Sequence, residues 1–231
     1  MPQNEYGQPI GEDLGRWQAP SFPMAVTVPG RTVTLEPLSS DRHGEGLWAA
    51  LGDAPTSLWT YMSFGPFADR SEFQATIDGL AALPDWVPYA LVVEGAPLGF
   101  ASYLRVQPAD GVLEIGSIVF SPQMQRTTPA TESLYLMIAR TFELGYRRCE
   151  WKCDALNGPS RQAADRLGFT YEGTFRHATH YKGRNRDTSW YAIIDRDWPE
   201  LERAFELWMS ADNFDVEGNQ IRSLRELRGA T

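Results

Sequence analysis

Sixty residues from Glu114 to Gly173 hold a strand, a turn, a helix, a second strand and a short helix, and this succession commits the chain to alternating sheet and helix. Val112-Leu113-Glu114-Ile115-Gly116-Ser117-Ile118-Val119-Phe120 is rich in β-branched residues and is stopped by Ser121-Pro122, as a strand is. Leu134, Met137, Ile138, Thr141, Phe142 and Leu144 then recur at helical spacing. Thr127 or Thr128 can cap this helix, Pro129 suits its first turn and Gly145 ends it. The turn between them, Gln125-Arg126-Thr127-Thr128-Pro129-Ala130, leads directly into a helix N-terminus. Unpaired N–H groups and a partial positive charge collect there, and Arg126 adds a full one, so the turn is the expected seat of a phosphate-bearing cofactor.

The 231 residues suit one domain with terminal extensions, and 42% hydrophobic composition with eight Trp and eleven Phe supplies a sizeable core. A formal charge of −9 without a long basic run argues against nucleic-acid binding and is compatible with a cationic substrate. Met1 to Pro23 has neither an apolar signal core nor the basic, acid-poor character of a transit peptide, and no stretch approaches the ~18 apolar residues of a membrane span. The expectation is a soluble, cytoplasmic protein. In Arg148-Cys149-Glu150-Trp151-Lys152-Cys153, apolar and charged residues alternate as in a strand. Cys149 and Cys153 then share a face at roughly 13 Å, too far for a disulfide, and two thiols are too few for a structural zinc site. No metal is expected.

Gly and Pro punctuate residues 1–24 too often for regular structure, so they read as an irregular arm. The domain proper spans 25–210, and 211–231 is a polar tail with at most one helical turn. Within the domain the pattern predicts a strand over Thr32–Leu38, a helix capped by Ser40 or Asp41 and running towards Gly52, and a helix between Ser71 and Leu83. A hairpin about Gly95-Ala96-Pro97 and the Val112 strand complete an antiparallel meander. After the Cys149 strand come a short helix from Asn157 to Gly168, strands near Tyr171–Tyr181 and Thr188–Ile194, and an amphipathic helix after Trp198-Pro199.

This order, with the turn at Gln125, resembles the GNAT superfamily of acetyl-CoA-dependent N-acetyltransferases over about Thr32 to Trp198. Asn157-Gly158-Pro159-Ser160-Arg161-Gln162-Ala163-Ala164-Asp165-Arg166-Leu167-Gly168-Phe169 and Tyr171-Glu172-Gly173 look like the RimJ/RimL type, which acetylates protein N-termini and some small amines. The resemblance implies a mixed α/β (α+β) GNAT fold: a mostly antiparallel twisted sheet flanked by helices, with splayed strands forming an acetyl-CoA cleft. It also implies direct acetyl transfer to a primary amine through a ternary complex. The family's turn runs Q/R-x-x-G-x-G/A, and Thr128 stands where glycine is usual. Lost backbone freedom there, and the N–H that Pro129 lacks, predict weaker or differently arranged cofactor binding.

The resemblance also distributes roles. An attacking amine must be a free base, so the site needs a proton acceptor, and Glu114 stands where histone-type members carry their catalytic glutamate. The other reading of Glu114 is a solvated strand carboxylate or half of a structural ion pair. The RimL-type glutamate position falls on Thr179, which leaves His177 and His180 as the nearest groups titrating near neutrality. The tyrosine that protonates the leaving thiolate in many members is replaced by Ala164, and the serine used by the RimL type is Ser160, equally explicable as a helix-cap hydroxyl. Asn157 would bond the pantetheine arm, and a main-chain N–H at Val119 or Phe120 would serve the thioester carbonyl. The cofactor-binding set is then Ile118, Val119, Phe120, Gln125, Arg126, Thr127, Thr128, Ala130, Thr131, Asn157 and Ser160. Trp59, Tyr61, Phe64, Trp86, Tyr103 and Tyr181 are available either to line an acceptor pocket or to fill the core. Because Thr128, Pro129, Ala164 and Thr179 depart from one or another catalytic pattern, an acyl-CoA-binding or sensor module without turnover is the alternative. The last hairpin and the C-terminal helix make a homodimer plausible.

Overall fold

In the computed structural model, which describes residues 1–229, the alternating segments form one eight-stranded sheet. The strands are β1 (Val28–Pro29), β2 (Thr34–Pro37), β3 (Val87–Val93), β4 (Ala96–Gln107), β5 (Val112–Phe120), β6 (Arg148–Asp154), β7 (Thr170–Tyr181) and β8 (Arg184–Ile194). They lie in the order β1-β2-β3-β4-β5-β6-β8-β7, antiparallel throughout except for β5 against β6. This is the mixed, mostly antiparallel sheet expected. The sequence reading missed β1 and started β8 four residues late, because Arg184 to Asp187 carry no apolar alternation.

Two apolar clusters hold the layers together. On one face, Leu47 and Leu51 of α1 (Ser40–Leu51) and Phe73 and Ile77 of α2 (Arg70–Ala81) meet Ala90, Phe100 and Val119. On the other, Leu134, Met137 and Ile138 of α3 (Thr128–Glu143) pack on Tyr89, Tyr103, Leu113, Ile115 and Cys149. Each Leu, Ile, Val, Met or Phe among them, fully buried, contributes about 1.5–3 kcal/mol from apolar area alone. Cys149, Trp151 and Cys153 all face this second cluster, as the alternation predicts, and both thiols are free. The N-cap of α1 is Ser39 rather than Ser40 or Asp41.

Midway along β5 the strand carries one residue too many for its partner. Gly116 pairs with Ser102 and Val119 with Phe100, so three steps of β5 oppose two of β4, and Ser117 takes up the excess at φ 51°. The bulge flips side-chain parity: Leu113 and Ile115 face α3, but beyond Ser117 it is Ile118 and Phe120 that do, while Val119 turns to the α1–α2 side. It also bends the strand. Pairing with β6 is confined to Val112↔Arg148, Leu113↔Cys149 and Glu114↔Glu150, after which the strands part.

Segments outside the central sheet dock on the rest of the fold through Trp17 and Ser21 and through two helices that follow β8. Trp17 donates to the Gly145 carbonyl and lies under Arg147, and the Tyr146 hydroxyl donates to Ser21. After β8, α5 (Trp198–Met209) spends its apolar face on α3 through Trp198, Phe205, Tyr135 and Phe142. The segment read as a polar tail ends in α6 (Leu224–Arg228), opened by a Ser223/Glu226 capping box and anchored by buried Leu224 and Leu227. Two leucines in a polar stretch are too weak a periodic signal to reveal this docking from sequence.

Candidate active site

The parting of β5 and β6 opens a cleft of about 1520 Å³. Glu114, Ile118, Phe120, Gln125, Arg126, Thr127, Thr128, Ala130, Thr131, Asn157 and Ser160 all line it. Val119 does not: the Ser117 bulge sends its side chain into the α1–α2 cluster, so it can offer the cleft main chain only.

The turn at the head of α3 is held by its own side chains. Gln125 Nε2 donates to the Phe120 carbonyl at 3.1 Å, and the Thr127 hydroxyl donates to the Met124 carbonyl and accepts from the Ala130 N–H. Thr127 is therefore the N-cap, which puts Thr128 in the first helical turn. The left-handed backbone of the turn falls on Arg126, at φ 64°, and Thr128 is not among the residues with positive φ. The expected cost of a missing glycine at Thr128 does not arise, because the backbone there is helical and any residue adopts it. Pro129 does withhold an N–H. Arg126 is exposed at the mouth, and Arg166 reaches across from α4 (Gly158–Leu167) to donate to Thr131 Oγ1 at 3.2 Å.

Across the cleft, Asn157 caps α4 by accepting the Ser160 N–H, which commits its Oδ1 and leaves its amide N–H₂ available. Ser160 Oγ accepts from Trp151 Nε1 at 3.1 Å. With a lone pair so engaged, the hydroxyl is oriented to donate its proton. Neither thiol nearby is a candidate nucleophile, since burial pushes both Cys149 and Cys153 up from the ordinary thiol range.

Glu114 is buried, only 2% exposed, which removes the solvated-carboxylate reading. Its Oε2 lies 3.0 Å from Lys152 Nζ and 3.4 Å from Arg105 Nε, so one oxygen meets two cations. Burial raises its pKa to about 7, outweighing the lowering by Lys152 and Arg105, with Glu150 adding like-charge repulsion. Gly116 makes room for the carboxylate, for a Cβ there would sit 3.0 Å from Glu114 Oε1. Lys152 and Arg105 both lie over the Trp190 ring, and Glu150 is held by Arg148, which also grips Glu172.

On the acceptor side, Tyr61, Phe64 and Trp86 line the cleft, whereas Trp59 and Tyr103 are core and Tyr181 donates to Asp154. Lys182, at the β7–β8 tip, donates to the carbonyls of Trp59 and Phe64, roofing this side with the α1–α2 connection. His177, Thr179 and His180 are exposed on β7 and do not line the cleft. Ala164 is buried in the core.

The sequence reading missed Lys152, Arg105, Ser117 and Arg166. Lys152 was within reach, because strand alternation puts it on the face opposite Cys149. Ser117 was not: its buried, unpartnered hydroxyl reaches the cleft only through the bulge. Trp208, Phe214, Gln220 and Arg225, from beyond the middle of α5, also line the cleft. Among the described residues no His, Cys, Asp and Glu cluster could hold a metal, and no helix is long and apolar enough to cross a membrane.

A family model for the GNAT acetyltransferase domain matches residues 32–170. The crystal structure of a GCN5-related N-acetyltransferase from Brucella melitensis is 39% identical, with a TM-score of 0.90 over 94% of this chain and 100% of that one. A probable GNAT-family acetyltransferase from Chromobacterium violaceum ATCC 12472 is 37% identical, with a TM-score of 0.79 over 83% and 97%. At 21% identity and a TM-score of 0.65, over 73% of this chain and 98% of the other, the Salmonella typhimurium acetyl transferase that modifies the N-terminal serine of ribosomal protein L7/L12 shares the fold. A comparison with curated protein sequences returns no match.

Proposed function

Since the chain belongs to the GNAT acetyltransferase family, we propose that it moves the acetyl group of acetyl-CoA directly onto a primary amine, with Glu114 as proton acceptor and Ser160 as proton donor. The observation that carries this reading is the state of Glu114: a buried carboxylate with pKa about 7, lining the same cleft as Ser160. A base poised near the working pH both exists ionised and accepts a proton readily.

Arg126 and the first turn of α3 hold the pyrophosphate, with Arg166 a second cation beside it. Glu114 takes one proton from the ammonium, directly or through water, and the amine so freed attacks the carbonyl carbon; once the C–N bond has formed, the nitrogen loses its second surplus proton to solvent. A main-chain N–H at Val119 or Phe120 bonds the carbonyl oxygen as it gains charge. Ser160 gives its proton to the sulfur as the C–S bond breaks and recovers one from solvent. The free coenzyme and the N-acetyl product remain. The acceptor in this reading is a protein N-terminus or a small amine, and the Salmonella relative's ribosomal-protein serine supports the former.

Mass spectrometry of the purified protein with acetyl-CoA and a panel of peptides and amines tests this. An acetylated product is the expected outcome. Tight acetyl-CoA binding with no acetylated product from any panel member would overturn it in favour of a binding module.

A further inference from the structure

Lys152 and Asp154 of β6 and Arg186 of β8 line the acceptor side of the cleft, and the charges on and around it can be accounted for one at a time. Lys152 and Arg105 face Glu114, Arg105 also approaches Glu150, and Arg148 is shared by Glu150 and Glu172. Asp154 accepts the Leu156 N–H on Oδ1 and the Tyr181 hydroxyl on Oδ2. One cation is left over. Arg186 lines the cleft and rests 5.7 Å from the Tyr181 ring centroid, and among the described residues it forms no ion pair. Its Nε is buried without a hydrogen-bond partner.

A guanidinium that lines a cleft with no anion beside it is open to a ligand that supplies one. The planar fork of arginine suits a carboxylate, which can accept two parallel N–H bonds. We infer that Arg186 recognises a carboxylate on the acceptor, so that the preferred acceptor is an amine carrying a negative charge several bonds from its nitrogen. The spacing sets that separation. Arg186 precedes Trp190, the cross-strand partner of Lys152, by four residues of β8, or ~13 Å of strand, and the Arg186 side chain spans only part of it. The formal charge of −9 opposes an anion at long range, but at contact the local pairing decides.

Two sources supply this chemistry: a peptide opening with an acidic residue, and a free dicarboxylic amino acid. The inference rests on the acetyl-transfer reading, but its test does not require turnover. Titration calorimetry on the CoA-saturated protein compares Asp-Ala-Ala-amide with Asn-Ala-Ala-amide, and glutamate with glutamine, and acetylation of each is followed by mass spectrometry. The acidic member of one pair should bind on the order of 10- to 100-fold more tightly, the worth of a charge-assisted hydrogen bond, and which pair responds identifies the source. Arg186→Gln should erase the gap and Arg186→Lys should keep part of it. Equal affinities within both pairs, or a gap that survives Arg186→Gln, would overturn the carboxylate site. An Arg186-dependent gap without acetylated product would keep the site and sink the transfer reading instead.

Discussion

Replacing Glu114 by Gln separates a catalytic base from a structural ion pair, because the two make opposite predictions for stability. The folded-state pKa of about 7 stands above the ordinary 4.5, so the native protein holds a proton that the unfolded chain releases first. The stability tied to the neutral form is fully present below pH 4.5 and is lost as pH rises through 7. At about 1.36 kcal/mol per pKa unit, the ionised carboxylate costs the fold on the order of 3 kcal/mol by pH 8, even with Lys152 and Arg105 beside it. Gln mimics the neutral form. Glu114→Gln should therefore be more stable than wild type at pH 8 by up to about 3 kcal/mol, and the gain should shrink to well under 1 kcal/mol near pH 4.5. Turnover should move the other way, falling by about 10²-fold or more at pH 7 and recovering as rising pH deprotonates the amine. Urea denaturation and initial rates, each across pH 5 to 9, read both effects. A variant destabilised by the roughly 3–5 kcal/mol typical of a broken buried ion pair, with a wild-type pH–rate profile, would refute the argument and make Glu114 a structural partner of Lys152.

Ser160→Ala should lower kcat by about 10²-fold while changing acetyl-CoA affinity little, and stopped-flow single turnovers would expose a purely structural role as unchanged chemistry. It should also cost about 1–3 kcal/mol, because the Trp151 indole N–H loses its acceptor. Arg126→Glu puts a negative charge at the head of α3 and should weaken acetyl-CoA binding about tenfold or more in calorimetry; unchanged affinity would remove the phosphate site. Thr128→Gly should bring no gain in affinity, since Thr128 is helical, and should cost up to about 1 kcal/mol in helix propensity. Leu224→Ala, at a side chain 1% exposed, should cost about 2–5 kcal/mol in urea denaturation, and a loss below about 0.5 kcal/mol would mean that α6 is only loosely docked.

What could be read from the order of residues is what depends on near neighbours in the chain. The helical spacing from Leu134 to Leu144, the β-branched run at Val112, the alternation around Cys149 and the Asn157 cap each report a local backbone preference that the fold then keeps. The cleft-lining set came with them because turn and helix N-terminus are contiguous, and the family motifs around Asn157 and Glu172 joined the two walls. The glycine argument at Thr128 failed for a related reason. The residue needing a left-handed backbone is set by where the cap falls, and a sequence offering Thr127 and Thr128 leaves that open until the helix is built.

Burial and pairing across strands are different in kind. Whether Glu114 is a solvated carboxylate or a buried one of raised pKa depends on its place between β4 and β6, on Gly116 leaving it space, and on Lys152 arriving from a strand that the chain reaches only after α3. The Ser117 bulge exists only relative to β4, and with it the parity flip that sends Val119 into the core. Among the described residues Arg186 forms no ion pair because the carboxylates around it are already engaged, and Leu224 is an anchor only because α4 and α5 leave it a place. The sequence alone determined which segments become strand, helix and turn, since those preferences are short-ranged. Tertiary structure decided charge, solvent access and partnership at the site, because these are sums over residues far apart in the chain.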